Sequence, residues 1–541
     1  MEPMTCGTAI VRSLIHHGVE VIFGVPGAHI YHLYDALYAH QDRLRHVVTR
    51  HEQAAAYMAY GYAKSTGKVG AYACVPGPGV LNTGAALCTA YGANAPVLCI
   101  TGEIPSAMIG RGRGILHELP DQLATLRLLT KWAGKIDHPT EVPHVMAEAF
   151  RQMRSGRMRP VAVQAPWDVL ALKATVNPDL DYAPVAAPIA DADAIASAVK
   201  LMRAARSPMI MVGGGALHAR EEVLELATLL QAPVTAHRSG RGIAPEDGPY
   251  GMSCAAAYKL WDRTDLLIGV GSRLELQYLR WQRIPNGLKV VRLDIDPTEL
   301  VRLKPDVGIL CDAKAGLREL LDAMTRTLDK RPSRLEEFAA IKARTRQEIQ
   351  KIQPQMSYLN VIREVLPRDG FFVEEISQVG LASRFGLPIY EPRTFVTCGY
   401  QDNLGFGFPT ALGVKVAHPD KPVVSVTGDG GFLFAVQELA TAVRHGIRLA
   451  TVVFNNQAYG NVLRDQKEKF AGRVCGAELT NPDFVKLAES FGAAAYRAST
   501  PESFRRALEA ALAADVPAVI EVPCERGSEA SPWEFLMPGT Y

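Results

Sequence analysis

The sequence predicts an α/β fold of three doubly wound parallel-sheet domains, and three observations carry that expectation. Short apolar runs alternate with helical stretches along most of the 541 residues, the pattern of strands covered by crossover helices. Alanine, glycine and proline are plentiful, which suits tightly packed α/β layers joined by strand-to-helix turns. Two segments interrupt the alternation, as expected if domains hold roughly 100–200 residues each. They are the proline-rich Val176–Ala194 and the charged helical stretch Arg331–Lys351.

In a first domain, residues 1–175, VEVIFGVPG (Val19–Gly27) reads as a strand ending in a turn. RHVVTR (Arg45–Arg50) is a strand feeding the small-residue helix HEQAAAYMAYGYAKS, and VGAYACVPGPG (Val69–Gly79) and APVLCITGE (Ala95–Glu103) repeat the pattern. A second domain, 190–330, carries SPMIMVGGGAL (Ser207–Leu217), TDLLIGVGSRLE (Thr264–Glu275) and KVVRLDIDP (Lys289–Pro297). A third, 355–541, carries FFVEEIS (Phe371–Ser377), KPVVSVTGDGGF (Lys421–Phe432) and IRLATVVFNN (Ile447–Asn456).

Composition excludes several classes. Hydrophobic residues at 48% and charged residues at 21% are those of a globular chain, not a disordered or collagenous one. A formal charge of +2 gives no electrostatic footprint for nucleic acid or an anionic membrane, and no apolar run is long enough to cross a bilayer. The opening MEPMTCGTAIVRSLIHHG lacks a basic segment followed by an apolar core, so no secretory signal is expected. Nine scattered cysteines without CxxC spacing fit reduced, mostly buried thiols, and a cytoplasmic location is expected.

Some familiar motifs fail. GYAKSTGKV (Gly61–Val69) has five spacer residues and a valine after GK, so it cannot put a hydroxyl on magnesium as a P-loop does. Neither His51-Glu52 nor His117-Glu118 is followed by a second histidine at the metalloprotease spacing, and no GxSxG occurs. The Gly213–Gly215 run lacks the full dinucleotide fingerprint and reads as a tight turn.

Two clusters carry chemistry. GDGGF (Gly428–Phe432) is followed, 27 residues after Asp429, by Asn456 in VVFNNQAYG. Parallel strands open on one edge, so Asp429 and Asn456 present two hard oxygen ligands of the kind magnesium accepts. The glycines let backbone N–H groups approach a diphosphate at a helix start. The second cluster, RHEQAAAYMAYGYA (Arg50–Ala63), sets the carboxylate of Glu52 at the start of a helix whose small residues permit close packing.

With FGVPGAHI, PGPG..N, APVL.ITG and GFGFPTALG, these clusters resemble thiamine diphosphate-dependent enzymes of the acetolactate synthase, benzaldehyde lyase and 2-oxo acid decarboxylase superfamily over nearly the whole chain. The resemblance implies a pyrimidine-binding domain, a central domain and a diphosphate-binding domain, with thiamine diphosphate and Mg2+ as cofactors. It assigns Glu52 the hydrogen bond that activates the aminopyrimidine. Leu404 would prop the bent cofactor, and Asp402 would offer its backbone carbonyl to the pyrimidine amino group. Asn82, Ser377, Gln378, Gly428, Gly430 and Gly431 would complete the cofactor site. Asp429, Asn456 and the carbonyl of Ala458 would hold the metal. It further implies a homodimer with active sites at the subunit interface, assembled into a tetramer.

Within the superfamily, GAHI (Gly27–Ile30), PWDVL (Pro166–Leu170) and TCGYQDNLGFGFPTALG resemble benzaldehyde lyase, which makes His29 a proton-handling candidate. His117 stands where that lyase has glutamine, and it too can relay protons near neutral pH. Acetolactate synthases place an acceptor-binding arginine where this chain has Gln277, a tryptophan where it has Asp465, and Phe-Gln where it has His117-Glu118. Without that arginine the second keto acid's carboxylate loses a charge-assisted pair. The expectation is therefore a carbon–carbon lyase or carboligase acting on small carbonyl substrates: 2-hydroxy ketones, aldehydes or 2-oxo acids. Acetolactate synthase-like transfer and 2-oxo acid decarboxylation are the alternatives. Whether the central domain holds FAD or another nucleotide stays open at this level.

Overall fold

The computed structural model describes residues 2–183, 185–325 and 330–540. They contain three parallel six-stranded sheets flanked by helices, the three α/β domains that the alternating pattern predicts. The first sheet runs, in spatial order, Arg45–Val48, Val21–Gly24, Gly70–Cys74, Val97–Glu103, Val161–Pro166, Trp132–Lys135. The third runs Phe395–Val396, Phe371–Val373, Val423–Gly428, Ala450–Asn455, Ala518–Pro523, Ala494–Arg497. Numbered along the chain, both have the order 2-1-3-4-6-5, so they are topological copies. The central sheet has strands Gly251–Met252, Val234–Thr235, Pro208–Val212, Leu266–Val270, Lys289–Asp294, Val307–Leu310, the 3-2-1-4-5-6 order of dinucleotide-binding folds.

Most of the strands found from sequence are buried. Val97–Glu103 and Pro208–Val212 are buried at every position, as expected when helices cover both faces, whereas Arg45–Val48, at a sheet edge, is legible although only Val47 in it is buried. The short strands Trp132–Lys135 and Ala494–Arg497 lie at sheet edges and mix polar with apolar residues, which hides them in the sequence, and the edge strand Val307–Leu310 is hidden by its length of four residues. A short antiparallel pair, Glu2–Thr5 with Lys173–Val176, closes the first domain. The expected linker begins at the end of that pair. Pro184 lies outside the described residues, and the rest of 177–191 carries neither helix nor strand.

The first and third domains meet through helices Glu52–Thr66 and Gly407–Ala417. Contact is possible because of two glycines. A Cβ on Gly61 would stand 2.1 Å from the Thr410 carbonyl oxygen, and one on Gly413 would stand 2.0 Å from that of Met58. The junction is tied by the Arg50 N–H donating to Glu438 at 3.1 Å and the Val48 N–H donating to His445 at 3.1 Å. Among the described residues, no helix is long and apolar enough to cross a membrane.

Candidate active site

The residues singled out for chemistry lie at or beyond the C-terminal ends of parallel strands. In the first sheet those strands end at Gly24, Val48, Cys74 and Glu103, and His29, Glu52, Asn82 and His117 follow them. In the third sheet Ser377 and Gln378, Asp402 and Leu404, Asp429, and Asn456 and Ala458 follow strands ending at Val373, Val396, Gly428 and Asn455. In a parallel sheet this edge is where strand and helix dipoles leave backbone groups to meet a ligand.

The first-domain group converges. Glu52 is the first residue of its helix, which His51 caps by accepting the Gln53 N–H. Asn82 Nδ2 donates to Glu52 Oε2 at 3.0 Å. His29 and His117 both adopt positive φ, 72° and 67°, which turns their rings toward each other, with centroids 5.4 Å apart. Trp167 stands at a further 5.4 Å from His29. His29 Nε2 lies 2.9 Å from the Leu116 carbonyl oxygen. A carbonyl only accepts, so Nε2 carries the proton and Nδ1 of the neutral ring offers a lone pair. That Nδ1 is buried without a partner, as is Nδ1 of His117. Burial and neighbouring His29 hold the His117 imidazole below its ordinary value, with Glu52 opposing, so neutral pH favours its uncharged form.

The third-domain group is built around Asp429, which starts the short helix Asp429–Leu433 and is 2% exposed. Burial raises its carboxyl pKa, opposed mainly by a hydrogen bond from Asn481. Asn481 Nδ2 donates to Asp429 Oδ2 at 2.6 Å and to Asn455 Oδ1 at 2.9 Å, while Asn481 Oδ1 is buried with no partner. Asn456 Nδ2 donates to Glu529, whose carboxyl pKa is likewise raised by burial and, in smaller part, by the charge of Asp429. Asn456 Oδ1 accepts the Ala458 N–H at 3.0 Å. Ser377 caps helix Gln378–Gly386, and Gln378 Nε2 is buried and unpartnered beside Gly460.

Gly430 and Gly431 are glycines for want of room. A Cβ on Gly430 would lie 2.5 Å from the Tyr459 ring, and one on Gly431 would lie 2.3 Å from Glu375 Oε1. Glu375 accepts from Thr427 Oγ1 at 2.7 Å and from the Gly405 N–H, and burial pushes its carboxyl up to about 7. It thereby links the GDGG turn to the loop that carries Leu404, which is half-buried.

Sequence reasoning missed Asn481, Glu529 and Glu375. Asn481 and Glu529 reach the site from after its last recognisable motif, and only the fold brings them to Asp429 and Asn456. The Gly213–Gly215 run, expected to be a tight turn, is a turn that also lines a cavity of about 540 Å³ at the edge of the central sheet. Among the described residues, no hydrogen bond, ion pair or ring contact joins the Glu52–His29–His117 group to the Asp429–Asn456 group.

The class of protein that these paired edges define emerges from comparison with known families. Family models match all three domains: the N-terminal TPP binding domain of thiamine pyrophosphate enzymes at 4–125, their central domain at 195–320 and their C-terminal TPP binding domain at 375–522. A probable 2-ketoarginine decarboxylase of Pseudomonas aeruginosa is 32% identical over 538 residues, covering 96% of this chain and 95% of its own. A probable acetolactate synthase large subunit of Methanocaldococcus jannaschii is 33% identical over 552 residues, covering 95% and 91%. A glyoxylate carboligase of Escherichia coli O157:H7 is 32% identical over 563 residues, covering 97% and 94%. The chain belongs to the thiamine pyrophosphate enzyme family, and thiamine diphosphate is its cofactor.

Proposed function

We propose that this enzyme is a magnesium-dependent carbon–carbon lyase or carboligase acting on 2-hydroxy ketones, aldehydes or 2-oxo acids. The observation that carries the reading is the convergence of His29 and His117, each with a bare buried Nδ1, beside Glu52 and the indole of Trp167.

The residues fit the cofactor and its metal. Asp429 and Glu529 are buried acids whose charges oppose one another, and among the described residues Asp429 has no basic partner. A divalent cation supplies that counter-charge. Its donors would be Asp429, Asn456 and the Ala458 carbonyl, an oxygen set suited to magnesium. The proposed donor set is one carboxylate with an amide and a carbonyl oxygen, and among the described residues no group of three or more His, Cys, Asp and Glu side chains is arranged to hold a metal. The GDGG turn, Ser377 and Gln378 would hold the diphosphate. Asn82, Leu404 and the Asp402 carbonyl would orient the rest of the cofactor, and Glu52 would share a proton with its aminopyrimidine.

When bound, the cofactor supplies an electron sink at a carbonyl carbon. The chain's own part is proton handling and exclusion of water. His29 Nδ1 accepts the hydroxyl proton of a 2-hydroxy ketone as the carbon–carbon bond breaks, and in the ligase direction returns it. His117, uncharged at neutral pH, is the alternative acceptor for that same proton. Trp167 closes the apolar wall.

The two groups meet in a homodimer, in which one subunit's Glu52 group faces the other's Asp429 group. Support comes from apolar side chains left open near each group: Leu81, Leu116 and Trp167 at 52, 61 and 40% exposure, and Phe434 and Val462 at 51 and 49%. A cytoplasmic enzyme assembled as a tetramer fits this reading.

A second reading, 2-oxo acid decarboxylation or acetolactate-type transfer, is favoured by the names of the relatives. The purified protein with thiamine diphosphate, magnesium, pyruvate and a panel of aldehydes and acyloins separates these. Cleavage or formation of acyloins supports the first reading. Acetolactate from pyruvate alone, or CO2 release without ligation, supports the second. Silence across the panel removes both.

A further inference from the structure

Asp402 is a non-glycine residue at φ 45°, a left-handed conformation that side chains rarely adopt without outside help. It sits in the loop after strand Phe395–Val396, two residues before Leu404. The help comes from two arginines. Arg238 Nη1 and Nη2 donate to Asp402 Oδ1 and Oδ2, both at 2.8 Å, in a bidentate fork. Arg384 Nη2 donates to Oδ1, also at 2.8 Å. Arg238 additionally donates to the Gly399 carbonyl at 2.6 Å, so it holds the loop by main chain and side chain at once.

Arg238 does not belong to the domain that carries the loop. It lies after strand Val234–Thr235 of the central sheet, and it lines the 540 Å³ cavity. Glu275 fixes it from behind, accepting from Nε at 3.1 Å, and Glu275 is itself gripped by Arg280. Arg384 is held by Glu374 at 2.9 Å. Three acids and three arginines thus form one lattice across the boundary between two domains, with the arginines and Glu374 buried and the Asp402 side chain 34% exposed. Burial pushes the Asp402 carboxyl up, and Arg238 and Arg384 more than reverse this, holding it well below the usual carboxylate range. The clamp is therefore charged at any working pH.

We propose that Arg238 is a positioning residue for the cofactor: reaching from the central domain, it holds Asp402 in the left-handed conformation that aims the Asp402 carbonyl and the Leu404 side chain at the cofactor ring. This rests on the thiamine diphosphate reading. It gives the central domain a part in the reaction geometry without any contact with substrate. A ligand in the central cavity would touch the same guanidinium.

The test uses the full-length protein with thiamine diphosphate and magnesium, reading cofactor affinity and hydrogen–deuterium exchange at the cofactor's C2. Arg238→Met is expected to slow exchange by roughly tenfold or more, the scale of an unsupported left-handed residue. Arg238→Lys should recover part of this, because lysine cannot make the fork. Adding Asp402→Gly to Arg238→Met should regain at least threefold of the loss, since glycine takes the conformation unaided and no stranded carboxylate remains. A merely structural role for Arg238 would give no such regain. If Arg238→Met does not fold, Asp402→Ala and Asp402→Gly decide with Arg238 intact, with the alanine variant expected to exchange about tenfold more slowly than the glycine one. Equal rates for that pair, or exchange in folded Arg238→Met as fast as in the parent, would overturn the proposal. A parent protein that binds no thiamine diphosphate would overturn the underlying reading as well.

Discussion

Replacing Asn481 by alanine isolates how Asp429 is held. The change removes the 2.6 Å hydrogen bond to the Asp429 carboxylate and the 2.9 Å bond to Asn455. A hydrogen bond to a charged group is worth about 1.5–3 kcal/mol. If the carboxylate needs that bond to keep its orientation, metal affinity falls by roughly 10- to 100-fold, the range for lost outer-shell partners of metal ligands. Thiamine diphosphate titrated at a series of magnesium concentrations gives the metal dependence, and the melting temperature controls for fold. A magnesium requirement within twofold of the parent in a folded Asn481→Ala protein would show that Asp429 does not hold the metal through this contact.

Three further outcomes follow from the same geometry. Asp429→Ala should weaken magnesium and cofactor together, because the metal would lose an anionic ligand and the diphosphate would lose the metal that ties it to the protein; in such titrations, unchanged affinity for both would move the metal elsewhere. His29→Ala and His117→Ala should each lower turnover by roughly 10²-fold while leaving cofactor affinity near that of the parent; full activity at every pH would pass the proton to water or to the cofactor itself. In Glu299, burial pushes the carboxyl up, but Arg302 and Arg157 hold it down at about 2, against an ordinary 4.5. A depressed carboxyl stabilises the fold above its unfolded value and loses that contribution as pH falls from about 4.5 toward 2. The melting-temperature advantage of the parent over Glu299→Gln, worth about 3 kcal/mol at neutral pH, should shrink across that window, and a constant gap would contradict the assignment.

What was legible in the sequence follows from what local chemistry constrains. GDGGF and the Asn-Asn pair stand out because a metal and a diphosphate demand hard oxygens and bare backbone at the ends of adjacent strands, and such strand ends lie at a near-fixed chain spacing. Glu52 stands out because a helix start directly after a strand is a local signal. His29 and His117 were placed on the same sheet edge by the same reasoning, and their rings do meet. Asn481, Glu529 and the Arg238–Asp402 clamp were not legible. Each joins positions whose separation in the chain, 52, 73 and 164 residues, is set by tertiary packing alone. The edge strands Trp132–Lys135 and Ala494–Arg497 escaped for a related reason. Half-covered and short, they lack the continuous apolar run that marks Val97–Glu103.

If Glu52 activates thiamine diphosphate in this chain, its loss acts on the cofactor itself. Exchange of the C2 hydrogen for deuterium in the bound cofactor, followed in the parent protein and in Glu52→Gln, measures that activation without any assumption about substrate. Exchange in the parent should be orders of magnitude faster than in free cofactor, and it should collapse toward the free rate in Glu52→Gln with the fold intact. Exchange in Glu52→Gln as fast as in the parent would contradict that role of Glu52.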